Sequence, residues 1–420
     1  MSKTRALHLA AVCLVPLAAV AATAAPLVQD PDWSRLLDND LYRLSADVRT
    51  RMELADFEGL GPSEAYTTRA RLGIRSKPRQ GLSGFAQLES IWSYDNDGYW
   101  DVVTLPNRRR QTPIADPPET DLNQLFLAYE NPEWFGLAAK VGRQRILLDD
   151  VRFIGNVGWR QNEQTYDAIR ASTSFGLEGL TATYGYVRDV HRVFGNKGAA
   201  ATRDFDSDSH LANVRYTEFG PVDVTAFAYL LDFKSDAPVF SSNSYGLRVT
   251  GEEDLAADWK LTYAGSYAFQ EDAGRNPVNY EADYVAAEGR LAFAPAGAVR
   301  IGYELLGSDA GRARFVTPLA TAHKFNGFAD VFTNNGGVRG LQDLYAGLAP
   351  ELPWKLRGEL VYHHFWSDDE GTPLGDEVDV VLRRPINDHL TVLTKGAFFE
   401  SKTRALADGW RYWLEFTFRY

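Results

Sequence analysis

RYWLEFTFRY, residues 411–420, ends the chain on a segment in which two kinds of side chain alternate. One face is apolar and aromatic, with Tyr412, Leu414, Phe416, Phe418 and Tyr420. The other face carries Arg411, Trp413, Glu415, Thr417 and Arg419. Successive side chains of a strand point to opposite sides, so a period of two indicates a β-strand. The stretch predicts a final strand with one oily face, one charged face and an aromatic end.

The same alternation recurs along most of the chain. It is clearest in residues 43–53, 68–75, 259–267, 299–305 and 377–383. We count about eighteen such segments, and many approach the roughly 9–11 residues that a tilted strand needs to cross a bilayer. After the N-terminal apolar segment, no run reaches the roughly 18 apolar residues of a membrane-spanning helix. The sequence therefore predicts an all-β protein.

The N-terminus has the pattern of a secretory signal peptide. Lys3 and Arg5 precede an apolar stretch at 6–20, and Ala22-Thr23-Ala24 offers a small-residue cleavage site. Cys13 is the only cysteine and lies inside this stretch, so the predicted mature chain forms no disulfide. We divide the chain into a signal peptide, a short periplasmic lead-in and one barrel domain: residues 1–24, 25–40 and 41–420.

The charge balance argues against a nucleic-acid partner. The chain has 44 basic and 56 acidic residues, a formal net charge of −12. An acidic surface of this kind repels phosphate backbones. We expect the outer surface to contact lipid instead.

Enzymatic and metal sites find little support in the sequence. The chain has no G-x-S-x-G, H-E-x-x-H, G-x-G-x-x-G or P-loop motif. DFDSDSH, residues 204–210, has the early spacing of a calcium loop, but Ser209 replaces the required glycine and Arg215 takes the place of the bidentate acid. We interpret it as a solvated outer loop. No catalytic residue, metal site or cofactor is predicted.

Alternation alone fits either a β-sandwich or a transmembrane barrel. The connections favour the barrel because short and long ones alternate. The long ones lie at 94–120, 145–164, 191–207, 308–337 and 366–373, and the short ones at 131–134, 218–221, 294–297, 349–353 and 384–389. An arginine facing lipid at mid-membrane would cost roughly 2–4 kcal/mol, so the charged faces must line the lumen. The prediction is a transmembrane antiparallel β-barrel of about 18 strands with short periplasmic turns and long extracellular loops.

The charged faces predict a basic lumen. The members of this lining are Arg43, Arg49, Arg51, Arg69, Arg71, Arg75, Arg170, Arg290, Arg300, Arg357, Arg383, Lys395 and Arg411. Guanidinium groups stay charged and bind carboxylates through two hydrogen bonds, so successive arginines can pass an anion along a path. Acidic residues such as Asp47, Glu53 and Glu415 share these faces, so a scaffold of paired charges fits the sequence as well.

Two long connections are unusual for surface loops. VGRQRILLDDVRFIGNVGWRQNEQTYDAIR, residues 141–170, is apolar enough either to fold into the lumen, presenting Arg152 and Arg160, or to pack on the barrel rim. TPLATAHKFNGFADVF, residues 317–332, has phenylalanines at helical spacing and predicts a short helix docked on the barrel mouth. His323 and Lys324 of this lid would then meet substrate, or the lid would serve packing alone.

Three stretches resemble the alginate-export family of outer-membrane porins: GRQRILLDDVRFIG…WRQNEQTYDA, TPLATAHKFNGFADVF and GLQDLYAGL…GELVYHHFWSDDEGTPLGDEVDV. The resemblance implies a monomeric barrel of about eighteen strands with an Arg-lined channel for an anionic uronate polysaccharide. The positions that fall on its motifs are Arg143, Asp150, Arg152, Trp159, Arg160, Asn162, Asp167, His323, Lys324, Asn326, Asp330, Asp343, Glu377 and Asp379. Of these, we assign to the substrate path Arg143, Asp150, Arg152, Arg160, Asn162, Glu377 and Asp379, and to the loop lid His323, Lys324, Asn326 and Asp330. The short turn RPINDH, residues 384–389, leaves no chain for a periplasmic plug.

The resulting hypothesis is an outer-membrane channel for an anionic, alginate-like polysaccharide or its oligomers. A general or small-anion porin and a barrel enzyme acting on lipid or glycan are the alternatives. The partners of the main hypothesis are the polysaccharide, outer-membrane lipid and lipopolysaccharide, the assembly machinery that reads an aromatic C-terminal strand, and periplasmic export proteins. Nucleic acid is not among them.

Overall fold

The structure is a computed structural model that describes residues 38–420, except for residues 96, 104–108, 198–202, 235–236 and 334–335. The predicted signal peptide and residues 25–37 of the predicted lead-in lie outside the described residues. The described chain is almost entirely strand. No helix within it is long and apolar enough to cross a bilayer.

Twenty strands follow one another along the chain. They are β1 (Tyr42–Phe57), β2 (Ser63–Ser76), β3 (Leu82–Ser93), β4 (Glu119–Asn131), β5 (Leu137–Gln144), β6 (Thr165–Thr173), β7 (Leu180–His191), β8 (Asp204–Phe219), β9 (Val222–Leu231), β10 (Ser242–Ala256), β11 (Trp259–Asp272), β12 (Glu281–Phe293), β13 (Gly297–Leu306), β14 (Ser308–Asp309), β15 (Ala313–Arg314), β16 (Leu341–Pro350), β17 (Arg357–Trp366), β18 (Pro373–Pro385), β19 (Leu390–Ser401) and β20 (Gly409–Arg419). Short 3-10 turns lie at Pro238–Phe240, Ala322–Lys324 and Gly337–Arg339.

Eighteen of these strands form one closed antiparallel barrel. Each strand pairs with its neighbours in the chain, β13 pairs with β16, and β20 pairs with β1 to close the sheet. The remaining two, β14 and β15, form a two-residue hairpin within a loop. Closure leaves no unpaired edge, which a sheet surrounded by lipid requires. The predicted 18-stranded barrel is confirmed.

The two rims of the barrel differ in their connections. One rim, the short-turn rim, carries both ends of the barrel sheet and the turns at 77–81, 132–136, 174–179, 220–221, 257–258, 294–296, 351–356 and 386–389. The other, the long-loop rim, carries 58–62, 94–118, 145–164, 192–203, 232–241, 273–280, 307–340, 367–372 and 402–408. This is the predicted asymmetry of turns and loops.

The strand faces have the predicted orientation. In β2, Leu72 and Ile74 are exposed, while Arg69 and Arg71 are buried inside the barrel. In β20, Phe416 is exposed and Trp413 is buried. The barrel therefore turns its oily residues outward and its charged residues inward.

The stretch DFDSDSH does not form the solvated loop that we predicted. Residues 204–210 form the first part of β8, and Phe205, Ser207 and Ser209 are fully buried inside the barrel. Alternation of the buried residues with the aspartates between them continues the strand pattern, which explains why these residues pair with β7.

Two long connections turn into the lumen and meet there. We call their inserted parts, residues 145–164 and 315–333, the plug. The Gly155 N–H donates to the Leu319 carbonyl at 2.8 Å, and the Thr321 N–H donates to the Val151 carbonyl at 3.0 Å. Of the two arrangements predicted for the first connection, the structure has the lumenal one. The plug comes from the long-loop rim, and the turn at 386–389 is short, as predicted.

The predicted helix across residues 325–332 does not form. Only a 3-10 turn at Ala322–Lys324 is present, and it lies in the lumen, where His323 is buried. Asn326, Gly327 and Asp330 all have positive φ angles, of 56°, 82° and 60°. A right-handed helix cannot contain these angles, so the chain winds irregularly through the lumen.

Candidate channel and its plug

The middle of the lumen is filled. The exposed fraction of Arg49, Arg51, Arg69 and Arg71 on β1 and β2 is between 1% and 6%. Inward residues of the other strands at this height are buried as well, including Gln87, Tyr166, Val187, Tyr229, Ala268, Glu304, Asp343, Glu377, Lys395 and Trp413. Arg49, Arg51 and Arg71 contact the plug and not an open water column.

Arg49 and Arg51 hold the first segment of the plug by its backbone. Arg49 donates to the Gly158 carbonyl at 3.1 Å, to the Arg160 carbonyl, and to Gln161 Oε1 at 2.9 Å. Arg51 donates to the Trp159 carbonyl at 2.6 Å, and its guanidinium lies 4.1 Å from the Trp159 ring centroid. A cation over an aromatic face adds to the attraction of the hydrogen bond.

Carboxylates from the wall and from loops complete these pairs. Arg51 donates to Glu415 of β20 at 2.7 Å and lies 3.5 Å from Asp116. Arg71 pairs with Glu89 of β3 and lies 3.5 Å from Glu163 of the plug. Arg69 pairs with Asp47 on β1. Both of the arrangements that the sequence left open are therefore present in these residues, because the arginines face the lumen and are also paired.

A second set of ion pairs joins both plug segments to β1 and β20. Arg160 lies 3.4 Å from Glu53 and donates to Asp330 at 2.5 Å. Arg411 donates to the same Glu53 at 3.2 Å and to the Ala329 carbonyl at 2.8 Å. Charged hydrogen bonds in buried surroundings are stronger than those at a surface.

Lys395 of β19 lies in a cage of plug aromatics. Its Nζ is 2.8 Å from His323 Nε2, 4.0 Å from the Trp159 ring centroid and 3.2 Å from that of Phe328. His323 Nδ1 lies 2.8 Å from Asp330. Burial lowers the pKa of His323 to about 3, so a neutral imidazole donates to Asp330 and accepts from the ammonium.

Glu377 and Asp379 of β18 accept hydrogen bonds from the backbone of the second plug segment. Ala329 N–H donates to Glu377 at 2.7 Å and Phe328 N–H donates to Asp379 at 2.9 Å. His363 contributes from the neighbouring strand, with its Nε2 3.7 Å from Asp379. The two carboxyl groups therefore act on the plug in this conformation.

The opposite side of the plug is mainly apolar. Phe153 packs its ring against Phe227, Tyr284 and Phe315, with centroids 5.0, 5.1 and 5.8 Å away. Ile154 and Leu319 are almost completely buried in the same cluster. We call this side, which faces β6 to β13, the apolar face, and the side against β1 to β3 and β18 to β20 the ionic face.

Polar contacts also lie within the apolar side. Arg152 donates to Glu304 of β13 at 2.6 Å, and Asn326 donates to the same carboxylate at 2.7 Å. Asp150 pairs with Arg248 of β10 at 2.9 Å. Arg152 and Asn326 are thus buried in the plug and do not line an open path, whereas Lys324 is exposed and donates to the Asp150 carbonyl at 2.8 Å.

A cavity of about 320 Å³ lies on the long-loop side of the plug. Its lining includes Arg160, Arg192, Arg314, His323 and Arg411, together with Phe194, Phe205 and Phe240. Burial lowers the pKa of Arg192 to about 10 and also lowers that of Arg314. Both arginines would gain from an anion bound beside them.

The short-turn rim carries a different kind of basic lining. Among the described residues, six inward cations near this rim make no ion pair: Arg75, Lys140, Arg170, Arg290, Arg357 and Arg383. Lys140 lies opposite Arg170, and Arg357 opposite Arg383. Arg43 pairs with Asp38 and Arg300 with Glu288 and Glu359, so these two are neutralised.

The structure places Arg143 away from the predicted path. Arg143 and its partner Asp167 share a strand face with Val141 and Ile169, which are exposed on the outside of the barrel. Arg143 also contacts Asp121, so it belongs to a polar cluster on the outer wall near the long-loop rim. Alternation places every second residue outside, and the sequence did not show which set that was in β5. Asn162 remains in the plug and is half-buried.

Sequence reasoning missed several residues of the plug interface. Glu163 contacts Arg71, Arg145 and Asn123, and Gln161 bonds Arg49 and Thr67. Burial opposes ionisation of Glu163, but Arg71 and Arg145 overcome it and lower its pKa to about 2. The signal was present in WRQNEQ, where polar residues crowd at the end of an apolar loop. Within the described part of the chain, no group of three acidic, histidine or cysteine side chains could hold a metal ion.

Comparisons with known proteins agree with this architecture. The family described as Alginate export matches residues 45–371. The Pseudomonas aeruginosa protein OpdK, solved with vanillate, is similar with a TM-score of 0.68 and 14% identity, covering 90% of this chain and 98% of OpdK. Acinetobacter baumannii OccAB4 and OccAB3 give TM-scores of 0.69 at 14% and 12% identity, each covering 90% of this chain and 98% and 99% of theirs.

A search of curated proteins returned no match. The neighbours in structure share the fold, and the family match covers most of the barrel. Together they indicate a channel of the outer membrane rather than an enzyme, with long loops outside and short turns in the periplasm. This chain belongs to the alginate-export family of outer-membrane β-barrels.

Proposed function

We propose that this outer-membrane channel passes uronate-type anions, an alginate-like polysaccharide or its oligomers. The observation that carries the proposal is the set of six unpaired inward cations near the short-turn rim. The chain as a whole is acidic, with a net charge of −12, so a concentration of free cations at one mouth is not a consequence of composition. A cationic mouth raises the local concentration of anions.

The chemistry of the mouth at the short-turn rim suits a saccharide that carries carboxylates. Arg75 lies over the rings of Phe85 and Phe126, with its guanidinium 4.7 and 5.5 Å from their centroids. Lys140 lies 4.2 Å from the centroid of Phe126. Aromatic surfaces beside cations can hold both the apolar face of a sugar ring and its carboxylate. Wall arginines and the arginines of the outer cavity continue the series of sites.

Planar-bilayer conductance of the purified channel tests the proposal. We expect an anion-selective reversal potential in a salt gradient and block by oligouronate but not by a neutral oligosaccharide of equal length. Lys140→Ala with Arg170→Ala should reduce anion selectivity. The two cations are neighbours on the paired strands β5 and β6, and both face the lumen. Arg188→Ala, which removes an exposed cation paired with its neighbour Asp189, is the matched control. Cation selectivity, or equal block by the neutral sugar, would refute the proposal.

A small-anion porin is the second candidate, favoured by the size of the outer cavity. About 320 Å³ has room for short carboxylates but not for a long polymer. A similar structure, OpdK, was solved with vanillate. Uronate monomer, dimer and longer oligomers separate the candidates. Block that strengthens with each added uronate supports the saccharide channel, and equal block by monomer and oligomer supports the porin.

The proposal includes further partners. Outer-membrane lipid and lipopolysaccharide would surround the apolar outer face, and the assembly machinery would recognise the amphipathic strand β20. Periplasmic export proteins would meet the short-turn rim. No cofactor enters the proposed transport, because passage through a charged lumen follows a gradient.

A further inference from the structure

The two faces of the plug differ in what they would meet if the plug moved. The polar contacts of the ionic face with the wall are made by arginine, lysine and carboxylate groups, which water or an anionic solute can also bind. This face also has aromatic contacts, of Trp159 and His323 with Trp413 and of Phe332 with Phe399. The apolar face contacts the wall through Phe153, Ile154, Phe315 and Leu319. Exposing those side chains to water is unfavourable, and nothing in a hydrophilic cargo would compensate.

We propose that the plug is a gate that opens along its ionic face, and that the cargo then replaces the plug on the arginines of β1 and β2. The apolar face stays seated during this movement. The inference rests on the proposed function, because it assigns the permeation path to the space between the plug and β1 to β3 and β18 to β20.

The plug presents to these arginines the groups that a uronate chain would present. Arg49 and Arg51 receive carbonyl oxygens of residues 158–160, and Arg71 receives the carboxylate of Glu163. A uronate chain carries a carboxylate and hydroxyl oxygens on each ring. Exchange of one set of oxygens for the other keeps each buried guanidinium bonded, so it avoids the cost of an unpaired buried charge. The plug thus acts as an internal mimic of the cargo.

Lys395 fits the same arrangement. Its ammonium is held by His323 and the rings of Trp159 and Phe328, all of which belong to the plug. Movement of the plug would expose this cation beside Arg411 and the arginines of β1. The open path would therefore have more cationic sites than the seated conformation offers.

Thiol accessibility tests which face opens, because the only native cysteine, Cys13, lies in the predicted signal peptide. Thr67→Cys places a thiol on β2 behind the ionic face, where Thr67 accepts from Gln161. Ser244→Cys places one on β10 behind the apolar side, where Ser244 accepts from Gln270, which also bonds Val316 of the plug. Thr67 and Ser244 are 1% and 2% exposed and lie near the same rim, so they are matched reporters.

The folded channel would be reconstituted in vesicles and treated with a charged methanethiosulfonate. We expect the thiol at residue 67 to react on the order of tenfold faster than that at residue 244, and faster again with oligouronate present. Folding of each variant is checked by its heat-dependent mobility on gels. Equal reaction rates at both positions, or a faster rate at residue 244, would overturn the proposal.

A pair of charge-removing variants gives an independent test. Glu163→Gln removes a plug carboxylate from the ionic face, and Asp149→Asn removes one that bonds Asn213 and Tyr229 on the other side. We expect the open probability of Glu163→Gln to rise roughly tenfold, since one partner of a buried pair is lost, while Asp149→Asn leaves it near that of the parent. Unchanged gating in both variants would overturn the gate.

These readouts separate the gate from the proposed function. If the channel selects anions and oligouronate blocks it, but the thiols react alike and Glu163→Gln gates normally, only the gate fails. If the gate behaves as expected but a neutral oligosaccharide accelerates the thiol at residue 67 as much as oligouronate does, the cargo assignment fails and the moving plug remains.

Discussion

The ionic and apolar faces of the plug are two solutions to the same packing problem. Around Phe153, apolar groups fill space and exclude water, and they have no partner other than each other. Around Arg51, the hydrogen bonds and ion pairs are contacts that a different oxygen could replace. The difference teaches that burial alone does not tell whether an interface is permanent. Replaceable contacts allow movement, and aromatic packing resists it.

The comparison also explains the density of charge in the lumen. A plug held only by apolar packing would need no arginines, and a permanently open pore would leave them hydrated. Here Arg49, Arg51 and Arg71 are buried and bonded to plug atoms. Buried pairs contribute little net stability when compared with apolar packing, so stability alone does not account for them.

The largest effect should follow from removing the plug. Replacing residues 148–160 by a short glycine-serine link deletes both faces of the first segment at once. Barrels of this strand number leave a water-filled channel when nothing occupies the lumen, so we expect conductance to rise on the order of tenfold. Single-channel recording measures the change. A conductance equal to that of the parent would show that the plug does not obstruct the path, and both faces would lose their proposed meaning.

The next effect concerns the ion pair inside the apolar side. Arg152→Ala leaves the buried Glu304 without its strongest partner, so we expect the plug to lose roughly 3–5 kcal/mol of seating free energy. The rate of thiol modification at Ser244→Cys measures this as lost protection. Replacing both partners, with Arg152→Met and Glu304→Met, should lose much less. If the double variant is as loose as the single one, the charge pairing is not what matters.

Packing on the apolar face gives a somewhat smaller effect. Leu319 is fully buried, and Leu319→Ala should cost the plug about 2–4 kcal/mol through lost contacts and the cavity left behind. The rate of thiol modification at Ser244→Cys again measures the loss of seating free energy. Leu147→Ala, in the same plug but 49% exposed, is the control and should change little. An equal effect of both would contradict the assignment of Leu319 to a tightly packed face.

The sequence predicted the strands of the barrel better than it predicted the plug. The strand count followed from alternation, and the 18-stranded sheet confirms it. The outward set of residues followed from the cost of arginine in lipid, and the exposed residues of β2 and β20 confirm it. Alternation is a local property, so it needs no knowledge of long-range contacts. It failed to show the role of Arg143, because a strand end above the lipid no longer requires an apolar outer face.

The plug was harder to predict because its structure comes from contacts between distant segments. Spacing of Phe325, Phe328 and Phe332 suggested a helix, but positive φ angles at Asn326 and Asp330 and the grip of Glu377 on the backbone set an irregular path. Nothing in the sequence around Gln161 and Glu163 indicates which arginines of β1 and β2 these side chains contact. Tertiary contacts outweighed local propensity there.

Acid should loosen the ionic face selectively. Burial lowers the pKa of His323 to about 3, below its ordinary value near 6.5, so a protonated imidazole is disfavoured in the seated plug. Its contribution to seating is complete above about pH 6.5 and falls as the pH drops toward 3. Asp330, Arg160 and Lys395 face the ring. Burial opposes ionisation of Asp330, but the hydrogen bond to His323 and the charges of Arg160 and Arg411 outweigh it and lower the pKa of Asp330, so its contribution is lost only at still lower pH.

Open probability measured from pH 7 to 4 checks this. The ratio of the alkylation rate at Thr67→Cys to that at Ser244→Cys is a second measure, because the ratio cancels the loss of thiolate that both cysteines share at low pH. The parent should open progressively as the pH falls, and His323→Gln should flatten the curve, because glutamine cannot take up the proton. The apolar reporter at Ser244→Cys should respond less. A parent channel that is indifferent to acid, or one that closes, would contradict the sign worked out from the lowered pKa.

The smallest effect should come from a charge that neither face of the plug uses. Arg143 pairs with Asp167 on the outer wall at 3.0 Å, and the Arg143 side chain is 20% exposed. Partly exposed ion pairs typically contribute about 0.2–1 kcal/mol, so Arg143→Ala should lower the free energy of unfolding by no more than about 1 kcal/mol. Conductance and anion selectivity should stay at parental values because the residue does not face the lumen. If Arg143→Ala altered selectivity as strongly as Lys140→Ala with Arg170→Ala, the division of the wall into lumen-facing and outward residues in β5 and β6 would be wrong. Chemical denaturation in detergent and reversal potentials in bilayers measure the two quantities on the same preparation.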